Sequence, residues 1–233
     1  MENKFKLKNG QFASDSRLGR IPQFDERSKK FAITDTITTF QAKNPRSYTW
    51  SVSKQLNQGM EGSCVGFSWA HELIARPMKY LTADNAYARN IYKEAQKVDE
   101  WEGEDYEGTS VLAGAKIVQS LGHMKEYRWA FGLDDLILAV GYKGPAVLGI
   151  NWYTGMFDAD SNGFVHATGE VEGGHAILCN RVNIKLKEFS LWNSWGSDWG
   201  INGACKVSFN DMEKLLSEWG EACIPVERIK VKL

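Results

Sequence analysis

The sequence predicts an α+β fold of two lobes, mainly helical in its first half and mainly β in its second. Three observations carry this. Apolar residues recur at three- and four-residue steps between residues 63 and 121, short apolar runs separated by Gly- and Asn-rich turns follow residue 131, and no internal repeat or low-complexity tract is present. Helices first and strands later indicate segregated layers, and the groove between two such lobes is where a site is expected.

Residues 1–50 are polar and broken by Gly10, Gly19, Pro22 and Pro45. They read as an extended arm without helix that packs along the body and needs no removal. The main unit then covers residues 51–233, with a helical lobe over about 51–130 and a β-rich lobe over about 131–233. A first helix is predicted over 63–77, opened by a small polar residue and carrying Phe67, Ala70, Leu73 and Ile74 on one face. A second over 84–98 places Tyr87, Ile91 and Ala95 on one stripe. A third is capped by Thr109 or Ser110, shows Val111, Leu112, Ala115, Val118 and Leu121, and stops at Gly122. A short helix over 133–140 precedes strands predicted at 146–152, 163–167, 175–182, 189–193 and 203–209.

Composition excludes several classes of function. Of 233 residues, 43% are hydrophobic and 24% charged, which is enough apolar material for a core and excludes disorder as the main state. A formal net charge of -1 supplies no basic field to gather nucleic acid or anionic lipid. No stretch approaches the ~18 apolar residues of a membrane span, and no apolar run follows the Lys-rich first eight residues, so a cytoplasmic chain is expected. The four cysteines form no CxxC pair, which argues against a zinc ribbon or a redox motif. Cys179, Cys205 and Cys223 read as buried free thiols.

The fourth cysteine is placed differently. In Gln58-Gly59-Met60-Glu61-Gly62-Ser63-Cys64 a glycine-rich loop delivers a thiol to the first turn of an amphipathic helix, where the dipole and the unpaired N–H groups favour an anion. A small buried Cys opening a helix would look the same in that segment alone. Gly173-Gly174-His175-Ala176-Ile177-Leu178 sets a histidine between glycines and an apolar strand. Taken singly, it reads more readily as a hydrogen-bonded structural residue. Asn193-Ser194-Trp195-Gly196-Ser197-Asp198-Trp199-Gly200 ends a strand on an amide and follows it with two tryptophans. An Asn can orient an imidazole, and an indole over that bond excludes competing water.

Together these three motifs resemble, in order, those of the papain-like cysteine peptidases, the C1 family that includes the cathepsins. Gln58 and Cys64 match its Q-G-x-x-G-S-C loop, His175 its His-Ala element, and Asn193 with Trp195 its N-S-W-G-x-x-W-G run. Glu107-Gly108-Thr109-Ser110 and Gly144-Pro145-Ala146-Val147 extend the similarity, which covers about residues 50–210. The segment Leu18-Gly19-Arg20-Ile21-Pro22 looks closer to prokaryotic and phage-borne members. The resemblance implies a two-lobed papain-like fold with a β-barrel-like second lobe. It also implies peptide-bond hydrolysis by Cys64, His175 and Asn193, with Gln58 in the oxyanion hole and Gly108, Thr109, Gly174 and Trp195 contacting substrate. No metal or organic cofactor is implied, the partner is a polypeptide substrate, and the chain is expected to be a monomer.

Departures from the family pattern are Glu61 where secreted members carry a disulfide cysteine, Val65 after the nucleophile, and Gly174 before the histidine. The steps from Cys64 to His175 and Asn193 are shorter than the ~130–150 residues usual there. An inactive peptide-binding module and an amidase or acyl transferase with the same triad are the alternatives. Elsewhere, His71 lies about 10.5 Å along the helix from Cys64 and is expected to be structural. His123 is expected in a solvated loop, and His166 is the one spare histidine of the second lobe.

Overall fold

The computed structural model describes residues 5–7, 9–102 and 107–229; the arm's first four residues and the chain's last four lie outside it. In chain order the elements are β1 (Phe5–Lys6), β2 (Phe12–Ala13), α1 (Thr39–Lys43), β3 (Tyr48–Thr49), α2 (Cys64–Ile74), α3 (Asn85–Val98), α4 (Val111–Ser120), β4 (Met124–Trp129), α5 (Leu133–Tyr142), β5 (Ala146–Tyr153), β6 (Val171–Asn183), β7 (Glu188–Trp192), β8 (Ala204–Ser208), α6 (Phe209–Ser217) and β9 (Glu221–Arg228).

Local chemistry accounts for the helix starts. Asp84 accepts from the Tyr87 N–H at 2.9 Å to open α3, and of the two caps proposed for α4 it is Ser110 that bonds the Ala113 N–H at 3.0 Å. Every residue of α2 is buried, so it is a central helix with no solvent face. The arm does contain a helix, α1, because Thr38 and Gln41 form a reciprocal capping box.

Six strands form one antiparallel ladder in the order β4-β9-β5-β6-β7-β8, with β3 added on the far half of β6. Among the described residues this path stays open, with β4 and β8 at its ends, so the barrel expected of the second lobe is not closed. Residues 163–167 form no strand; Phe164 makes a single bridge to Lys206. The sheet's two faces feed two cores. Leu148, Ile150 and Trp152 pack with Ile177, Phe189 and the helices α5 and α6. Val147, Ala176, Leu178 and Cys223 pack against α2, α3 and α4. Successive side chains of a strand point to opposite faces, so residues 146–150 of β5 and 176–179 of β6 are unbroken apolar runs because both their faces are covered there. Full burial of each large apolar side chain contributes roughly 1.5–3 kcal/mol.

His123 is buried rather than solvated. It lies beside β4, with its Nε2 2.6 Å from the Tyr87 hydroxyl and its ring against Tyr80. Burial lowers its pKa.

Candidate active site

Cys64 opens α2, and its Sγ accepts a hydrogen bond from the Ala176 N–H at 3.4 Å. This seats the thiol against β6, one residue past His175. His175 Nε2 lies 2.8 Å from Asn193 Oδ1, which also accepts from the Ser194 N–H at 2.8 Å. An oxygen held by that backbone donor can only accept from the ring, so Nε2 carries the hydrogen and Nδ1 is left as the basic nitrogen. Trp152 meets the imidazole edge-on at 4.7 Å and Trp195 lies at 5.0 Å, so two indoles shield the His175–Asn193 bond.

Gln58 is held by Ser194 from two sides. Its backbone N–H donates to the Ser194 carbonyl at 2.8 Å, and its Oε1 accepts from the Ser194 hydroxyl at 2.6 Å. The amide nitrogen is thereby presented as a donor, and it reaches the carbonyls of Glu61 at 2.6 Å and Arg17 at 3.0 Å. The four residues inferred from the motifs thus converge from the loop before α2, the start of α2, β6 and the loop after β7. Ser194 and Trp152 also belong to this arrangement: the first stands inside the Asn193 motif with no role assigned to it by the sequence, and the second ends the predicted strand 146–152 with no motif to single it out.

The groove is filled by the chain's own arm, which does not pack merely along the body. Thr109 N–H donates to the Gly19 carbonyl at 2.9 Å, Ile21 N–H to the Thr109 carbonyl at 2.9 Å, and Arg20 N–H to the Gly174 carbonyl at 3.0 Å. The Arg17 guanidinium stands 4.0 Å from the centre of Trp195. A Cβ at Gly108 would lie 2.6 Å from the Gly19 carbonyl oxygen. All four positions assigned to substrate, Gly108, Thr109, Gly174 and Trp195, therefore touch residues 17–21. Cys64 and His175 are left with 0% exposure.

The direction of the occupant's groups matters chemically. The Gly19 backbone N–H, after that of Ala176, is one of the groups that oppose the rise of the Cys64 thiol. In a trans peptide the Leu18 carbonyl points the opposite way. The arm thereby turns the Gly19 N–H, and not the Leu18 carbonyl, towards the side of the sulfur.

Occlusion sets the electrostatics. Desolvation by burial raises the Cys64 thiol to about 11 against these N–H donors, and desolvation lowers His175 to about 4 despite the Asn193 bond. The covered pair is neutral. His71, whose Nε2 accepts from the Leu56 N–H at 3.1 Å, is lowered to about 3 by burial and is structural. Unfolding exposes both rings, which then bind protons near pH 6.5, so the unfolded chain holds more protons below that value and stability falls as pH drops from 7 towards 4. Urea unfolding should lose roughly 2 kcal/mol for each of the two histidines between pH 7 and pH 5. A flat profile over that range would contradict the neutral, buried assignment.

Glu61 pairs with Arg89 at 3.2 Å, so the carboxylate ahead of the nucleophile is neutralised locally. His166 lies half-exposed beside Asp160, and Cys179, Cys205 and Cys223 are buried free thiols. Among the described residues no group of three His, Cys, Asp or Glu is arranged to hold a metal ion, and no helix is long and apolar enough to cross a membrane.

Comparison with known proteins bears on the same scaffold. Xylellain, a cysteine protease from Xylella fastidiosa, matches over 100% of both chains with a TM-score of 0.72 at 16% identity. The fold is papain-like. Digestive procathepsin L 3 of Tenebrio molitor larval midgut shares this papain-like fold over 91% of the chain and 75% of its own, with a TM-score of 0.56 at 15% identity. In sequence, cathepsin B-like CP3 of Giardia intestinalis is 30% identical over 82 residues, and cathepsin B-like cysteine proteinase 6 of Caenorhabditis elegans is 27% identical over 84 residues. Those stretches cover 33% and 34% of this chain but only 27% and 22% of the two relatives. No family model matches the chain.

Proposed function

We propose that the chain is a cysteine endopeptidase held latent by its own arm. The observation that carries this reading is the arm itself: residues 19–21, which follow a turn closed by the Leu18 N–H and the Asp15 carbonyl, cross the groove at the Cys64–His175 pair with ladder-type hydrogen bonds to Thr109 and Gly174. A groove that binds one stretch of polypeptide through its main chain is suited to another. This favours a peptide substrate over a cell-wall amide, and the cysteine protease names of the structural neighbours agree with it.

Once the arm leaves, water reaches the site and the desolvation that keeps the pair neutral is relieved, so the thiolate–imidazolium form becomes accessible. Cys64 Sγ then attacks the peptide carbonyl carbon. The Gln58 Nε2 and the Cys64 backbone N–H stabilise the oxyanion, and removing one such donor typically costs on the order of 10²–10³ in rate. His175, held through Nε2 by Asn193, delivers its proton to the leaving amine. It next takes a proton from the water that hydrolyses the thioester.

The test uses the full-length chain carrying Gly19→Ala, which forces the arm out for the steric reason argued in the Discussion. An epoxysuccinyl peptide should label Cys64 alone among the four cysteines, and the chain should cleave casein while leaving purified cell wall intact. Labelling at Cys179, Cys205 or Cys223 would refute the nucleophile assignment. Cleavage of neither substrate, with Cys64 unlabelled, would favour a binding module, and cell-wall cleavage alone an amidase.

A further inference from the structure

The peptide unit between Glu61 and Gly62, just ahead of the nucleophile, is tied on both sides. Its carbonyl accepts from Gln58 Nε2 at 2.6 Å, and its N–H donates to Glu107 Oε2 at 3.1 Å. The two groups of a trans peptide point in opposite directions, so one rigid plane joins the Gln58 amide to the Glu107 carboxylate. Glu107 lies close against the loop, since a Cβ at Gly62 would stand 2.7 Å from its Oε2 and 3.5 Å from its Cβ. The same Oε2 lies 3.5 Å from the Tyr92 hydroxyl. That hydroxyl accepts from the Gly108 N–H at 2.9 Å and from Gln96 Nε2 at 3.0 Å, which directs its own hydrogen to Glu107. Tyr92 is buried on α3, and α3 meets α2 so closely at Gly66 that a Cβ there would lie 2.8 Å from the Tyr92 Cβ. Glu107 is thus backed by a packed pair of helices. The other tie from α3 to this loop, Arg89 to Glu61, has side chains 41% and 32% exposed and contributes little.

We propose that Glu107 is a positioning residue for the peptidase reaction, fixing the Glu61–Gly62 peptide plane and, through it, the Gln58 amide that stabilises the oxyanion. The inference rests on the peptidase reading and adds a residue that acts through Gln58. The Gln58 Nε2 carries two hydrogens, one on the Glu61 carbonyl and the other on the Arg17 carbonyl of the arm at 3.0 Å. Displacing the arm frees the second alone. The bond to Glu61 then holds the donor in place while it serves the oxyanion. Turning the plane over would set the Glu61 carbonyl against the Glu107 carboxylate, two acceptors with no hydrogen between them, and would face the Gly62 N–H to the Gln58 amide hydrogens. Glu107 therefore selects the one orientation in which Gln58 is anchored.

The test measures kcat and KM on a fluorogenic peptide in the full-length Gly19→Ala chain. Adding Glu107→Ala should lower kcat about 10- to 100-fold, short of outright loss of an oxyanion donor, with KM within about twofold of the parent. Glu107→Gln should retain about a third or more of the parental kcat, because both donors meet a single oxygen that the Gln amide also offers. Alkylation of Cys64 by iodoacetamide, which forms an S–C bond as iodide leaves a saturated carbon and builds no oxyanion, should keep its rate in both variants. On top of Gln58→Ala, Glu107→Ala should cost less than about threefold, since the two residues act as one unit. A thermal melt accompanies each variant, and where Glu107→Ala does not fold, Glu107→Met fills the same space without the acceptor and should give the same result. A loss shared equally by Ala and Gln, a loss residing in KM, a matching fall in alkylation, or a fully additive loss with Gln58→Ala would overturn the proposal and leave the peptidase intact. If the Gly19→Ala parent cleaves no peptide and its Cys64 stays unlabelled by the epoxysuccinyl peptide, the peptidase reading fails and this proposal falls with it.

Discussion

Cys64→Ala, made in the full-length Gly19→Ala chain, removes peptide cleavage by a factor of about 10⁵ or more, as loss of a covalent nucleophile does when no other group can form the acyl intermediate. The remaining three cysteines cannot substitute. Each is fully or almost fully buried in the cores, and burial pushes their thiols far up, so none offers a thiolate to a substrate. His175→Ala in the same background costs nearly as much, and combining the two adds little, because the pair acts as a unit. Alanine at residue 64 keeps a small apolar group in a site with 0% exposure, so the melting temperature should stay within a few degrees of the parent. Steady-state cleavage of a fluorogenic peptide beside a thermal melt measures both; a tenth of parental activity surviving in Cys64→Ala would end the assignment.

Gly19→Ala itself has the second largest expected effect, in the opposite direction. A Cβ at Gly19 would lie 1.8 Å from the Gly62 carbonyl oxygen, 2.5 Å from its carbon and 2.8 Å from its Cα. These are backbone atoms in the loop that carries Cys64 to the start of α2, so neither side can yield by a rotamer change. Overpacking of this kind costs typically 1–3 kcal/mol, which is about 5- to 150-fold in the ratio of open to covered chain. Labelling of Cys64 by the epoxysuccinyl peptide should accelerate within that range, and the thiol should titrate lower as the burial that raised it to about 11 is lost. An unchanged labelling rate together with an unchanged melt would show that the arm is not what covers the site.

Part of this architecture is written in short stretches of sequence. Asp84 and Ser110 cap α3 and α4 through N–H groups three residues away, and the start of α2 at Cys64 follows from a loop and an apolar period contained in a dozen residues. Such signals are legible because the interacting groups are neighbours in the chain. The strands β4 and β9 were not legible. Only the two ends of β4 are buried, which leaves no alternation, and β9 carries Pro225 and an unbroken buried run from residue 221 to 225. They define one another across the chain, with Met124 opposite Arg228 and Trp129 opposite Cys223.

The sequence by itself determined which residues are candidates for thiol chemistry, since Gln58, Cys64, His175 and Asn193 stand in motifs that taken together resemble one family, although the Cys64 and His175 segments read singly left a structural role open. Only the tertiary structure decided what those residues face. The arm's extended Gly- and Pro-containing backbone has no preferred partner of its own, and its place was set by unpaired backbone groups at Thr109 and Gly174 that needed hydrogen bonds. Likewise, nothing local to Arg20 or Glu221 announces their buried ion pair. They lie 201 positions apart, and a buried charge finds its counter-charge only once the sheet and the arm have brought the two together.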